Sequence, residues 1–151
     1  MKNFGYLRLT NWLSPLALSA CLLWGCGSTG KTEEKVSALP TSSCYGSYTD
    51  KDSVFLTLTF VGTEVSGDLT YKLYEKDKSQ GTLQGTVKGD TIHAMYQFRS
   101  EGKTSTREVA FLKQGSDLVE GFAPMDETGT RFLDKRDIDF AGTVLVGTEC
   151  K

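Results

Sequence analysis

From residue 54 to residue 99 apolar side chains recur at every second position. Val54, Leu56, Leu58 and Phe60 alternate with Phe55, Thr57, Thr59 and Val61. Val65, Leu69, Tyr71 and Leu73 alternate with Ser66, Asp68, Thr70 and Lys72. Leu83 and Val87 alternate with Gln84, Thr86 and Lys88, and Ile92, Ala94, Tyr96 and Phe98 with His93, Met95, Gln97 and Arg99. A period of two belongs to strands with one buried face. No stretch beyond residue 26 shows the i, i+3, i+4, i+7 spacing of a helix. Turn signals separate the runs: Gly62-Thr63, Asp77-Lys78-Ser79-Gln80-Gly81, Gly89-Asp90, Glu101-Gly102, Gly115-Ser116 and Glu127-Thr128-Gly129. Consecutive hairpins follow. The Thr- and Val-rich run Ile138 to Cys150 reads as a closing strand. The pattern predicts an all-β domain, an antiparallel up-and-down meander of eight or nine strands. Closure into a barrel buries its apolar face and removes exposed edges; a two-layer β-sandwich is the alternative.

The first 26 residues are of another kind. Lys2 and Arg8 are the only charges before Lys31, and an apolar run from Trp12 to Trp24 follows them. This is the layout of a signal peptide, residues 1–25. The run falls short of the ~20 apolar residues of a membrane span. Two cysteines compete as the processed, lipid-bearing residue. Leu18-Ser19-Ala20-Cys21 has the better letters. Cleavage before Cys21 would leave Leu22, Leu23 and Trp24 exposed in the mature chain, whereas Cys26 is followed by polar Gly27-Ser28-Thr29-Gly30. Cys26 is therefore preferred, with Cys21 the alternative. Acyl chains there would tie the protein to a membrane. Residues 26–43 read as the lipidated cysteine and a flexible tether reaching ~20–25 Å, including a small charged group at Lys31, Glu33 and Glu34 that reads as solvated tether. Residues 44–151 read as one β-barrel domain.

Loss of Lys2 and Arg8 leaves 15 basic and 19 acidic side chains, a net charge of −4. With no basic stripe, nucleic acid is not an expected partner. Export also gives Cys44 and Cys150 a role, since paired cysteines in an oxidising compartment read as a disulfide. The closed loop of about 100 residues would contribute at most roughly 4–5 kcal/mol.

Few residues suggest chemistry. His93, the only histidine, falls on the outward parity of its strand, so a Ser-His-Asp triad is not expected. With Cys44 and Cys150 paired, a zinc site is not expected either. Asp77, Ser79 and Gln80 before Gly81 do not match a calcium loop and read as a hairpin turn with a left-handed glycine. Glu64 and Asp68, and Asp126 and Glu127, read as solvated acids rather than a glycosidase pair. No enzyme activity, cofactor or metal is expected.

Arg107 and Glu120 stand apart. If Gly115-Ser116 is a two-residue turn, Arg107, Val109 and Phe111 share the inner face with Leu118, Glu120 and Phe122. A charged pair there must satisfy itself, fixing register or orienting a ligand. The rest of the inward list is bulky: Leu56, Leu58, Phe60, Leu69, Tyr71, Leu73, Leu83, Val87, Ile92, Tyr96 and Phe98, with Phe140, Val144 and Val146 later. A barrel of eight strands is about wide enough for its own side chains, so a filled interior is expected. Gly67 and Gly85 would permit coiling.

Three segments together carry a resemblance: Tyr74-Glu75-Lys76-Asp77 before Gly81-Thr82; Gly89-Asp90 before Tyr96 and Phe98; and Ser100-Glu101-Gly102 before Arg107-Glu108-Val109-Ala110-Phe111. With Cys44 and Cys150 they resemble a family of small Gram-negative bacterial lipoproteins of uncharacterised function. The resemblance implies an outer-membrane location, on the periplasmic face or the cell surface, and a β fold; it implies no activity. The outline is also similar to calycin-like barrels such as lipocalins and avidins, as architecture only, since no Trp follows residue 24. Two functions stay open. One is a non-catalytic envelope module that binds a protein partner, which outward, clustered Tyr45, Phe55 and Tyr74 would favour. The other is a carrier of a small apolar ligand inside the barrel.

Overall fold

A computed structural model describes residues 39–150. Eight antiparallel strands follow in chain order: β1 (Thr41–Tyr48), β2 (Ser53–Val61), β3 (Glu64–Lys72), β4 (Ser79–Lys88), β5 (Thr91–Ser100), β6 (Lys103–Gln114), β7 (Asp117–Gly121) and β8 (Val144–Thr148). Each pairs with the next and β8 returns to β1, so the sheet closes as a barrel. Residues 1–38 lie outside the described part, and with them the expected signal peptide, the candidate lipid-bearing residues Cys21 and Cys26, and most of the expected tether. The expected domain start at Cys44 moves back to Thr41, where Ser42 shares a 3.2 Å hydroxyl–hydroxyl bond with Thr59 across the ladder.

Turn chemistry sets the register. Val61 faces Glu64, Lys88 faces Thr91, Ser100 faces Lys103 and Gln114 faces Asp117, so four hairpins turn on two residues each. At Glu101-Gly102 both φ angles are positive, 51° and 73°, the handedness that matches strand twist. The β3–β4 connection departs from the sequence reading. Its tight turn comes earlier: the Lys76 N–H donates to the Leu73 carbonyl at 3.2 Å, and the left-handed residue is Glu75 (φ 55°). Ser79, Gln80 and Gly81 already belong to β4, where successive side chains point to opposite faces.

The interior is solid. Leu56, Leu58, Leu69, Leu83, Tyr96, Phe111, Leu118 and Leu145 are fully buried. Phe60, Leu73, Val87 and Phe98 pack on this core toward its ends. Gly67 and Gly85 let strands approach closely: a Cβ would strike the Thr57 carbonyl oxygen from the first and the His93 carbonyl oxygen from the second. Tyr45 is in the core opposite Leu56. The condition of an outward cluster of Tyr45, Phe55 and Tyr74 is therefore not met; Phe55 is half-buried and Tyr74 exposed.

The larger departure follows β7. The chain leaves the barrel wall after Gly121 and makes an excursion, residues 122–143, with a single 3-10 turn at Lys135–Asp137 and isolated bridges Phe122 to Asp139 and Met125 to Phe132. The two-residue period does not run through it. Phe122 is 55% exposed instead of inward. Ile138 and Phe140 lie against the outer side of Gly121, where a Cβ would strike both. When the wall resumes the phase is reset: Leu145 points in, while Val144 and Val146 are exposed. The closing strand is thus five residues, not the whole run from Ile138. Cys44 lies opposite Thr148, and Cys150 is at disulfide distance from it, Cα to Cα 5.2 Å.

Candidate functional site

The strands differ in length, and the difference opens one end of the barrel. β6 has twelve residues and β7 five. β7 covers only Ala110 to Gln114 of its neighbour. Beyond that stretch β6 is flanked by the excursion, whose Thr130 carbonyl accepts from the Glu108 N–H at 2.7 Å, and a cleft of about 650 Å³ opens at this end of the barrel. Val54, Tyr71, Leu73, Phe98 and Phe122 supply apolar walls; Glu75, Lys76, Asp77 and Glu101 stand at its edge; Arg107, Glu120 and Thr143 complete it. A smaller cleft of about 420 Å³ lies at the other end, lined by Tyr45, Phe60, Ile92, Lys113 and Leu118 among others. Thr41, where the chain enters β1, is at that second end.

Arg107 and Glu120 do share the inner face, as the two-residue turn at Gly115-Ser116 requires. Among the described residues they form no ion pair within 4.0 Å. Tyr71 links them instead. Its hydroxyl donates to Glu120 Oε1 at 2.5 Å, and the Arg107 guanidinium lies over its ring, 5.4 Å from the centroid. The same guanidinium lies 5.6 Å from the Phe98 centroid. Aromatic packing holds these rings: Phe98 stacks on Tyr96 at 4.8 Å, and Tyr96 meets Tyr71 edge-on at 6.0 Å. The Tyr96 hydroxyl is anchored by donating to the Leu69 carbonyl at 2.8 Å. Arg107 Nε is buried without a hydrogen-bond partner.

Burial governs the electrostatics of this floor. It raises the Glu120 carboxyl above the usual range, against the Tyr71 hydrogen bond and the Arg107 charge, which lower it. Burial also raises the Tyr71 phenol, with the Glu120 charge and hydrogen bond adding to it. Tyr71 therefore stays a donor, and Glu120 keeps its acceptor role with a bias toward the neutral acid.

Sequence reasoning placed Arg107 and Glu120 but missed Tyr71 as their intermediary. The available signal was a phenol on the buried parity of a strand, whose hydroxyl needs a partner.

The other candidates fall elsewhere. His93 is on the outer face, beside Ala110 and Thr86 in register. Its Nδ1 is buried without a partner. Burial lowers its pKa, and Lys135 adds to that. Glu108 is also outward yet only 6% exposed, because the excursion covers it. It accepts from the Phe132 N–H at 3.1 Å and pairs with Lys135 at 2.6 Å. Burial works to raise its carboxyl, but those two partners hold it below the usual range. Glu64 and Asp68 are exposed on the outer face. Asp126 ties a turn, accepting from the Thr128 hydroxyl at 2.7 Å and the Thr130 N–H at 2.9 Å. Among the described residues no group of three or more His, Cys, Asp or Glu is placed to hold a metal ion.

Comparison of the chain with models of known protein families, with curated proteins and with solved structures returns no match. The likeness to Gram-negative lipoproteins rests on the quoted segments alone.

Proposed function

We propose that the protein is a non-catalytic lipoprotein of the Gram-negative outer membrane, anchored through Cys26, whose barrel is a module that binds an envelope partner at its open end. The supporting observation is the division of the barrel. Its middle is filled by its own leucines and aromatics, and the cleft of about 650 Å³ has charged groups at its floor and lies at the end opposite Thr41. A tether attached at Thr41 leaves that opening free. The filled middle argues against the alternative, a carrier holding an apolar ligand inside the barrel; such proteins need small inward side chains to make room.

The test is photo-crosslinking in intact cells. A photoreactive amino acid at Ser100, on the edge of the open end, should give discrete adducts. The same residue at Lys113, at the opposite end, should not. Equal adducts from both positions, or none from Ser100, would refute binding at the open end.

A further inference from the structure

We propose that Arg107 seats the carboxylate of a ligand whose adjoining apolar group rests on Leu73, Phe98 and Phe122. The inference rests on the reading of the open end as the binding site and names the chemistry it takes.

The argument starts from donors and acceptors. A guanidinium has five N–H donors and no acceptor. The Arg107 guanidinium lies over the rings of Tyr71 and Phe98, but a ring face satisfies no N–H in the guanidinium plane. The carboxylate that shares the floor, Glu120, is turned to the Tyr71 hydroxyl. Arg107 lines the cleft, and its Nε is buried and unpaired. A buried donor without a partner is an exception that asks for an explanation. The Nε side of a guanidinium forms half of a two-pronged fork that matches the two oxygens of a carboxylate.

The surroundings select among anions. Glu75, Asp77 and Glu101 outnumber Lys76 at the edge, and Glu120 is at the floor. A doubly charged phosphate would meet four carboxyl groups with Lys76 and Arg107 to offset them. A single carboxylate on an apolar body meets far less repulsion, and the walls Val54, Leu73, Phe98 and Phe122 give that body a surface. The cleft volume of about 650 Å³ is within the range of small-ligand sites. A second carboxylate beside Glu120 favours its protonated form. The groups facing Glu120 are Tyr71 from β3, Arg107 from β6 and Thr143 before β8, with Glu75, Lys76, Asp77 and Glu101 at the edge. Burial holds the Glu120 carboxyl above the usual range, so binding should take up a proton there and tighten as pH falls.

The carboxylate has two possible sources, a free acid or the C-terminus of a polypeptide. Calorimetric titration of the full chain in lipid nanodiscs distinguishes them. The probes are 3-phenylpropanoate and the peptide acetyl-Ala-Leu-Phe with a free or an amidated C-terminus. Binding of the phenylpropanoate alone assigns a small acid; stronger binding of the free peptide assigns a chain end. In either case Arg107→Gln should weaken binding at least tenfold, Arg107→Lys should recover only part of it, and Lys113→Gln should leave it unchanged. Should Arg107→Gln fail to fold, the amidated peptide makes the same comparison on the natural protein. Equal binding of acid and amide, or no binding of any probe up to about 10 mM, overturns the carboxylate seat. Crosslinking from Ser100 would then still stand or fall by itself.

Discussion

The seam between β8 and its neighbours is the weakest part of the barrel wall, and the Cys44–Cys150 pair straddles it. β8 meets β1 only along Cys44 to Gly46, and meets β7 only at Leu118 and Val119, whereas β5 is paired from Thr91 to Arg99 with β4 and from Thr91 to Ser100 with β6. Replacing both cysteines by serine removes a link between residues 106 apart. The chain-entropy relation for a loop of that size gives about 4.8 kcal/mol of stability at 25 °C as the ceiling. A domain of this size has ~5–15 kcal/mol in all, so the loss should be plain in urea unfolding as a lower midpoint. Hydrogen exchange locates it: without the link the seam can part before the rest, so amides of Val144 to Thr148 should lose more protection than those of β2 to β5. A midpoint unchanged by the double substitution, or β8 amides no less protected than before, would refute the claim that this link holds the barrel shut.

Tyr71→Phe deletes a donor to a buried carboxylate and should cost about 1.5–3 kcal/mol in urea unfolding, more than the about 0.5–1.5 kcal/mol of Tyr96→Phe, whose bond is to a neutral carbonyl; the reverse order would contradict the assigned roles. Glu120 has a raised pKa in the folded protein, so the fold binds its proton more tightly than the unfolded chain does. Its contribution is full below the ordinary carboxylate value of 4.5 and is lost as pH rises through the folded value. Glu120→Gln should therefore flatten the decline in Tm above pH 4.5, and parallel Tm profiles for the two proteins would count against it. Mass spectrometry of the mature N-terminus should find lipid on Cys26; lipid on Cys21 would shift the cleavage site, and an uncut chain would end the lipoprotein reading. Gly67→Ala forces a methyl group onto the Thr57 backbone and should cost about 1–3 kcal/mol by overpacking, measured as a lower urea midpoint.

Strands β2 to β6 were legible because each has one buried face and most are joined by turns of two residues, which leave the phase no freedom. The same logic put Arg107 and Glu120 on one face. It failed where phase is not inherited. Between Phe122 and Thr143 the chain leaves the wall, so parity counted from either side carries no information, and Phe140, Val144 and Val146 were misassigned. β1 was illegible for another reason: Ser43, Cys44, Tyr45, Gly46 and Ser47 offer almost no alternation, and Tyr45 is buried by its partners in β2 and β8 rather than by its own pattern. Tyr71 was placed correctly but read as apolar filling, since its bond to Glu120 spans 49 residues of sequence.

The excursion after β7 has a practical consequence. It is fastened to β6 just past its tip, where the Glu108 N–H donates to the Thr130 carbonyl at 2.7 Å and the Glu108 side chain holds Phe132 and Lys135. Its tip, Glu127-Thr128-Gly129, is exposed and folded by Asp126 alone. Loop length is inexpensive, since each doubling adds only about 0.6 kcal/mol of closure entropy. An epitope tag spliced into the tip would leave the wall and the open end intact. Under the proposed outer-membrane location, antibody staining of unbroken cells would then report whether the domain stands outside the cell or beneath that membrane.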